Sequence, residues 1–137
     1  MNISSRCDYA CRAMVELAKQ ASTQQPVRAT HIAENQDIPE KYLVHILIQL
    51  KRAGLVRSIR GSQGGYHLER SPGDISLGDI VKAIDGPILE ARPVEEAGEG
   101  DLHPTWRQVA KGIEKVLESI TVQDILESGR HAHMYYI

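Results

Sequence analysis

Residues 38–86 decide the fold, and they read IPEKYLVHILIQLKRAGLVRSIRGSQGGYHLERSPGDISLGDIVKAIDG. Leucine and isoleucine recur there at helical spacing, which predicts a helix with one buried face. The buried positions are Leu43, Ile46, Leu47 and Leu50. Pro39 suits the first turn of this helix and Gly54 suits its end. From Leu55 the spacing changes, because LVRSIR and YHLER flank the turn residues GSQGG, and this predicts a β-hairpin.

Two further helices are predicted before this stretch. Ser5 to Asp8 have the pattern of a capping box, and the apolar residues that follow repeat at helical spacing, so a first helix is expected over residues 5–20. After a polar break, Thr30 can cap a short second helix that ends near Gln36. The second and third helices then form a helix-turn-helix.

Three more helices are predicted towards the C-terminus. SLGD, residues 76–79, is a capping-box pattern before a fourth helix that ends at Gly86. Its inward residues are expected to be Leu77, Ile80, Val81 and Ile84. Residues 90–103 are acidic and without period, so a loop is expected, and Pro104 opens a long helix. Thr121 restarts a short helix that ends near Glu127.

The net charge of −2 conceals two halves of opposite charge. Residues 1–70 contain ten Lys or Arg against six Asp or Glu, whereas residues 71–137 contain six against twelve. A basic front half suits a polyanionic partner. No apolar run approaches the roughly 18 residues needed to cross a bilayer, and MNISSRCDYACR lacks the apolar core of a secretory signal. We therefore expect a cytoplasmic protein with no membrane partner.

The third predicted helix carries a polar face opposite its buried stripe. At about 100° per residue, Lys41, His45 and Arg52 point outward, together with Val44 and Ile48. Cations and an imidazole on one face suit contacts with phosphates and base edges in the major groove of DNA. A solvated helix face is the alternative interpretation, and the hairpin that follows favours DNA binding.

The glycine-rich turn at residues 60–66, RGSQGGY, is the predicted tip of a wing. Glycines remove side chains where a backbone must bend tightly or approach a phosphate, and Arg60 can enter a narrow minor groove. The turn joins two strands and leads into no helix, so it matches neither the P-loop nor the dinucleotide-binding motif. The predicted DNA-binding residues are Arg28, Thr30, Glu40, Lys41, Tyr42, Val44, His45, Arg52, Ser58, Arg60, Gly61, Ser62, Gln63, Gly64 and Gly65.

Apolar residues on the long C-terminal helix step by three and four, the spacing of a seam between helices. The predicted dimerisation residues are Trp106, Val109, Ile113, Val116, Leu117 and Ile120. Packing of this face on the chain's own domain is the alternative. A homodimer is favoured because operators are commonly two-fold and a second copy strengthens a weak single-domain contact.

The predicted fold class is mainly α with a small β-wing. A winged helix-turn-helix DNA-binding domain is expected over residues 1–86, followed by an acidic loop over residues 87–103. Residues 104–128 then form the long C-terminal dimerisation helix and a short closing helix, and residues 129–137 form a tail.

The sequence also resembles a family of small bacterial transcription regulators that includes IscR, NsrR and CymR. The similarity runs from Ser4 to about Leu126 and is most specific over residues 38–86. The segments DYACRAMVELA and ITVQDIL fit the family as well. This resemblance implies a homodimer joined by the long C-terminal helix, a palindromic operator in double-stranded DNA and, usually, repression.

Cluster-binding members of that family place three cysteines in the loop before the long helix, because iron-sulfur clusters are held mainly by thiolates. This chain has none there, and Pro93 and Gly100 stand nearest to the first and last of those cysteines. His103 and Asp8 match ligand positions of single members, but two residues cannot hold a cluster. The resemblance therefore implies a cluster-free, CymR-like member with no cofactor and no metal.

The recognition helix departs from the family pattern. Members that read bases with the sequence YLEQ have a Glu and a Gln where this chain has Val44 and His45. Loss of the carboxylate removes an acceptor for a cytosine amino group, so we expect a different operator.

Other function classes can be weighed on the residues. An enzyme is not expected, because neither the cysteines nor the loop carboxylates Glu95, Glu96, Glu99 and Asp101 form a set with catalytic roles. An interaction module that acts through a partner protein stays open, as does a small-molecule or protein effector near residues 90–103. Cys7 and Cys11 lie four residues apart, where a disulfide would be strained. Cys7, at the start of the first helix, is a candidate redox-active thiol.

Overall fold

The computed structural model describes residues 3–88, 100 and 102–135, and of residues 130–135 the backbone only. Its elements are α1 Ser5–Lys19, α2 Ala29–Gln36, α3 Glu40–Arg52, β1 Val56–Ile59, β2 Gly65–Leu68, a short 3-10 turn Pro72–Asp74, α4 Leu77–Asp85, α5 His103–Ser119 and α6 Val122–Tyr135. The strands β1 and β2 form an antiparallel hairpin with Val56 opposite Leu68. The predicted order of helices and wing is thus confirmed.

The core forms where α2, α3 and α4 pack on α1. The predicted stripe of α3 is fully buried, as are Ala10, Ala13 and Met14 on α1. Burying a leucine or isoleucine side chain stabilises the fold by about 1.5 to 3 kcal/mol. The four buried residues of α3 therefore anchor one face of that helix to the core and leave its opposite face exposed to solvent.

Two helix starts differ from the sequence predictions. The N-cap of α1 is Ser4 and not Ser5, because the Ser4 hydroxyl accepts the backbone N–H of Cys7 at 3.0 Å. In α2 the residue before the helix is Arg28, which makes no side-chain capping bond, and Thr30 lies inside the helix. The prediction that Thr30 caps α2 was therefore wrong.

The predicted capping boxes of the two later helices are confirmed. In α4, Ser76 and Asp79 exchange side-chain to backbone hydrogen bonds of 2.9 and 3.0 Å. Thr121 and Asp124 do the same at the start of α6, with the same two distances. Each box satisfies amide groups that a helix start leaves without partners.

The segment between α5 and α6 is tied to the start of α4. The backbone N–H of Leu77 donates to the Ile120 carbonyl at 2.7 Å, and the N–H of Val122 donates to the Ile75 carbonyl at 2.9 Å. Ile120 is therefore extended, with φ −100° and ψ 119°, and lies outside α5. Its predicted place on the helical seam was wrong.

The remaining differences lie at the C-terminal end. The helix α5 begins at His103, one residue before Pro104, and α6 continues to Tyr135 instead of ending near Glu127. Residues 89–99 and 101, most of the predicted acidic loop, lie outside the described residues. Among the described residues, no helix has the length and apolar character needed to span a membrane.

Candidate DNA-binding surface

The outward face of α3 combines cationic, polar and apolar side chains. Lys41, His45 and Arg52 are exposed, and between them Val44 is 47% and Ile48 42% exposed. Exposed aliphatic side chains are common on protein surfaces, but here they lie among cations, and a thymine methyl group in the major groove offers them a partner. The face is thus suited to contact base edges as well as phosphates.

The wing is fastened to the helix-turn-helix at several points. From α3, the Lys51 ammonium donates to the Ser58 hydroxyl at 2.8 Å. The Arg28 guanidinium, at the start of α2, donates to the backbone carbonyl of Ser62 in the wing turn. Val27 and Tyr66 exchange two backbone hydrogen bonds, of 3.0 and 2.8 Å. These contacts fix the position of the wing turn relative to α2 and α3.

Two glycines of the wing turn are required by close packing. A Cβ at Gly64 would lie 2.2 Å from the Ile59 carbonyl oxygen, and one at Gly65 would lie 2.6 Å from the Val27 carbonyl oxygen. Both distances are far shorter than any real contact, so a side chain at either position would separate the strands or break the Val27 to Tyr66 pairing.

The structure places the predicted DNA-binding residues on α2, α3 and the wing, with Arg28 joined to the wing turn. All of them are exposed except Gly64, which is buried, and Gly65, which is half-buried. Arg60 and Gln63 lie exposed on the turn, whereas Gly64 shapes that turn and presents no surface of its own.

A stack of cations and aromatic rings beside α3 was not predicted. The rings of Tyr9 and Tyr42 are stacked with centroids 6.4 Å apart. The Arg12 guanidinium lies 4.9 Å from the Tyr9 centroid, and the Lys41 ammonium lies 5.1 Å from the Tyr42 centroid. Such contacts contribute about 0.5 to 1 kcal/mol each at exposed sites. The stack therefore orients Lys41 and Tyr42 at the start of α3.

A buried carboxylate also supports the helix-turn-helix, and sequence reasoning missed it. Glu16 on α1 is only 2% exposed and accepts hydrogen bonds from Gln36 at 2.9 Å, Lys19 at 3.1 Å and Asn35 at 3.2 Å. Burial raises the pKa of Glu16, but these hydrogen bonds outweigh burial and hold the pKa below its usual value. The ionised carboxylate thus anchors the end of α2, beside the turn that leads into α3.

The two thiols lie inside the domain. Cys7 is 1% exposed within the core cluster, and Cys11 is half-buried. The hydrogen bond that they share lowers the pKa of Cys7, against the effects of burial and of Asp85 and Asp8, and the same bond together with burial raises the pKa of Cys11. The predicted redox role of Cys7 stays a prediction, but it now requires that the start of α1 open to admit an oxidant.

Asp8 and His103, the two candidate metal ligands, each lie beside an arginine side chain. Asp8 pairs with Arg12 at 3.2 Å, and the His103 Nε2 atom lies 3.1 Å from the Arg107 guanidinium. Within residues 3–88, 100 and 102–129, no three His, Cys, Asp or Glu side chains are close enough to hold a metal ion together.

The predicted dimerisation face of α5 is open to solvent in the single chain. Trp106 is 51% exposed, Val109 44% and Val116 58%, whereas Leu117 packs on the core and Ala110 is buried. Packing on the chain's own domain, the alternative interpretation, therefore covers only one edge of the helix.

Comparison with known proteins identifies the family of this chain. Residues 3–128 match the family model Rrf2, described as an iron-dependent transcriptional regulator. The chain belongs to the Rrf2 family.

Two relatives of this chain are named as transcription regulators. It is 35% identical to the HTH-type transcriptional regulator CymR of Bacillus subtilis over 142 residues, which cover 100% of both chains. It is 34% identical to the HTH-type transcriptional regulator IscR of Klebsiella pneumoniae over 146 residues, covering 97% of this chain and 89% of that one.

Solved structures of Rrf2 relatives agree with the fold. The structure of CymR, the global cysteine regulator of B. subtilis, matches with a TM-score of 0.80 at 33% identity, over 93% of this chain and 98% of that chain. The structure of IscR from T. potens matches with a TM-score of 0.76 at 38% identity, over 99% and 97%. The predicted family, winged helix-turn-helix fold and DNA-binding regulator class are confirmed, and the protein is not an enzyme.

Proposed function

We propose that this Rrf2 protein is a homodimeric repressor that binds a palindromic operator, with α3 in the major groove and the wing at the adjacent minor groove. The observation that carries the proposal is the exposed face of α3, braced from behind by its buried stripe and fastened to the wing. As DNA lies in the cytoplasm of bacteria, we propose that location as well.

The size and chemistry of α3 suit the major groove. A helix with side chains is about 10 to 12 Å wide, and the groove is about 12 Å wide. His45 can donate to or accept from a base edge, and Val44 can pack on a thymine methyl group. Lys41, beside the Tyr9 and Tyr42 stack, and Arg52, at the other end of α3, would contact phosphates.

The wing turn supplies the second contact. Arg60 is exposed and no described residue pairs with its guanidinium. A narrow minor groove has enhanced negative potential, which attracts an arginine side chain. Because the turn is fastened to α2 through Arg28, Arg60 approaches DNA from a fixed position.

The apolar face of α5 supports the dimer. Three large side chains, Trp106, Val109 and Val116, share that face and stay open in the single chain. A second copy that packs its own α5 against this face would bury all three. Two winged domains would then read two half-sites about one helical turn apart.

We also propose that the chain works without an iron-sulfur cluster, although the family description names iron. Clusters are held by several thiolates. The chain has two cysteines, Cys7 and Cys11, and Cys7 is enclosed in the core beside α4. No cysteine lies in residues 87–103, so this donor set does not fit a cluster.

Selection of random DNA duplexes on the purified protein tests the proposal. We expect a two-fold consensus sequence, and log affinity that falls steeply with log salt because bound phosphates release counterions. With the selected duplex, His45→Ala should change the preferred base at one position of each half-site, since a base contact contributes about 1 to 3 kcal/mol of discrimination. Recovery of no consensus, with no salt dependence, would contradict the proposal and favour an interaction module.

A further inference from the structure

A cleft of about 660 Å³ lies between the end of α1, the hairpin and the first turns of α6. Leu17 and Lys19 line it from α1, and Leu126 lines it from α6. Arg57 and His67 form the hairpin wall. The cleft thus lies between the wing hairpin and α6, the helix that follows α5.

The hairpin wall faces away from the recognition helix. Side chains alternate between the two faces of a strand, and Ser58, the neighbour of Arg57, contacts Lys51 of α3. Arg57 and His67 are cross-strand partners and share the opposite face. Their side chains are therefore directed to the cleft and not to the DNA-facing side of α3.

The positive charges of the cleft are unequally satisfied. Lys19 is paired with Glu16 at 3.1 Å, and Arg70 lies 3.9 Å from Asp79. The side chains of Arg57 and His67, by contrast, make no hydrogen bond or ion pair with any residue that the structure describes. The hairpin wall therefore offers a guanidinium and an imidazole side by side, both free for an anion.

Apart from Arg57 and His67, the lining of the cleft mixes apolar with polar side chains, and it includes the carboxylate of Glu69. Leu17 and Leu126 are buried with their edges at the cleft, whereas Leu68 alternates with His67 on β2 and packs on the core. Small-molecule sites combine apolar side chains with a few polar groups that orient the ligand.

We propose that this cleft binds a small organic anion, a carboxylate or phosphate ester with a short apolar body, as an effector. Arg57 and His67 bind the anionic group, and the apolar body packs on Leu17 and Leu126. The guanidinium suits either oxyanion because it donates two parallel hydrogen bonds.

The position of the cleft also gives the ligand a route to DNA binding, a step that rests on the proposed function. A ligand that contacts both the hairpin and α6 favours whichever arrangement of wing and C-terminal helices it fits best. If that arrangement differs from the one on the operator, the ligand changes operator affinity, and by linkage the operator changes ligand affinity equally.

NMR titration of the isotope-labelled full chain tests binding without DNA. Hexanoate and phenyl phosphate are the probes, with acetate and inorganic phosphate as the comparators that lack an apolar body. We expect saturable shifts of the Arg57 and His67 side-chain signals, with tighter binding of the two probes. Arg57→Gln should weaken probe binding about tenfold or more, because a charge-assisted contact is lost. Arg52→Gln, which removes an exposed cation outside the cleft, should bind like the wild type.

Three results would overturn the proposal. The first is unchanged probe binding by Arg57→Gln. The second is equal, non-saturating shifts with all four anions, which indicate screening by salt only. The third is that Arg57→Gln weakens binding to every duplex and reduces its salt dependence but leaves probe binding intact, which assigns Arg57 to the DNA backbone. A wild type that binds the probes but no duplex would instead contradict the proposed function alone.

Discussion

Replacement of Glu16 by glutamine provides the sharpest test of how α3 is held. Glu16→Gln keeps the size of the side chain but removes its charge and one acceptor oxygen. The new amide nitrogen replaces one of the two carboxylate oxygens. Either Gln36 on α2 then loses its acceptor, which lies 2.9 Å away in the wild type, or Asn35 loses its acceptor at 3.2 Å. The Lys19 side chain is 45% exposed, so its loss of a partner counts for little.

The expected cost can be worked from these contacts. A hydrogen bond to a charged group contributes about 1.5 to 3 kcal/mol, and a stranded donor adds to the loss. We therefore expect Glu16→Gln to lower the free energy of unfolding by about 2 to 3 kcal/mol. For a domain of this size that lowers Tm by about 10 °C. Thermal and urea unfolding, followed by circular dichroism, measure both quantities.

The pH dependence of stability gives a second readout of the same carboxylate. Because the pKa of Glu16 is lower in the folded chain, the folded state favours the ionised form. Its contribution is complete above the unfolded-state pKa of about 4.3 and is lost as the pH falls through the folded-state pKa. The gap in stability between wild type and Glu16→Gln should therefore narrow below about pH 4.

Glu34→Gln is the matched control, because Glu34 is an exposed carboxylate on α2 without a partner among the described residues. It makes the same change of charge and should cost less than about 0.5 kcal/mol. If Glu16→Gln and Glu34→Gln unfold alike, the buried carboxylate does not anchor α2 and the reasoning is refuted.

Three other perturbations address DNA binding, dimerisation and the thiol. Arg60→Ala should weaken operator binding about tenfold at unchanged Tm, whereas the control Lys82→Ala, on α4, should leave operator affinity unchanged. If Arg60→Ala and the wild type bind the operator equally in a mobility-shift titration, Arg60 does not belong to the DNA interface. Val116→Glu should bury a charge in the α5 seam and give monomers in sedimentation at micromolar concentration, whereas the control Lys115→Glu should stay dimeric. A Val116→Glu variant that stays dimeric would show that the α5 seam is not the dimer interface. Cys7 should react with a thiol reagent at least tenfold more slowly in the folded chain than in the unfolded chain, because it is 1% exposed. Equal reaction rates in the folded and unfolded chains would contradict the burial of Cys7.

Most patterns that are local in the chain were predicted correctly from sequence, although the first helix is capped by Ser4 and not Ser5. The buried stripe of α3 follows from apolar spacing alone, because a helix brings residues three and four apart to one face. The capping boxes at Ser76 and Thr121 depend on residues three apart, and both were found as expected. The outward face of α3 followed from its stripe for the same reason.

Features that depend on distant partners were missed or misplaced. Glu16 is buried because Asn35 and Gln36 reach it from α2, and nothing near Glu16 in the sequence indicates that contact. Ile120 leaves the seam because its carbonyl is bonded to Leu77. Thr30 is not a cap because Val27 is paired with Tyr66, so the chain is already extended at the residue before α2.

The pairing of Val27 with Tyr66 has a consequence for the operator. Since these bonds and the Arg28 contact fasten the wing turn to α2, the protein sets the distance between the proposed major-groove and minor-groove contacts. A duplex whose groove does not match that distance must bend or narrow to reach both. The cost of that deformation depends on base steps that no side chain touches. We therefore expect base preferences between the two contacts, imposed by the stiffness of the DNA itself.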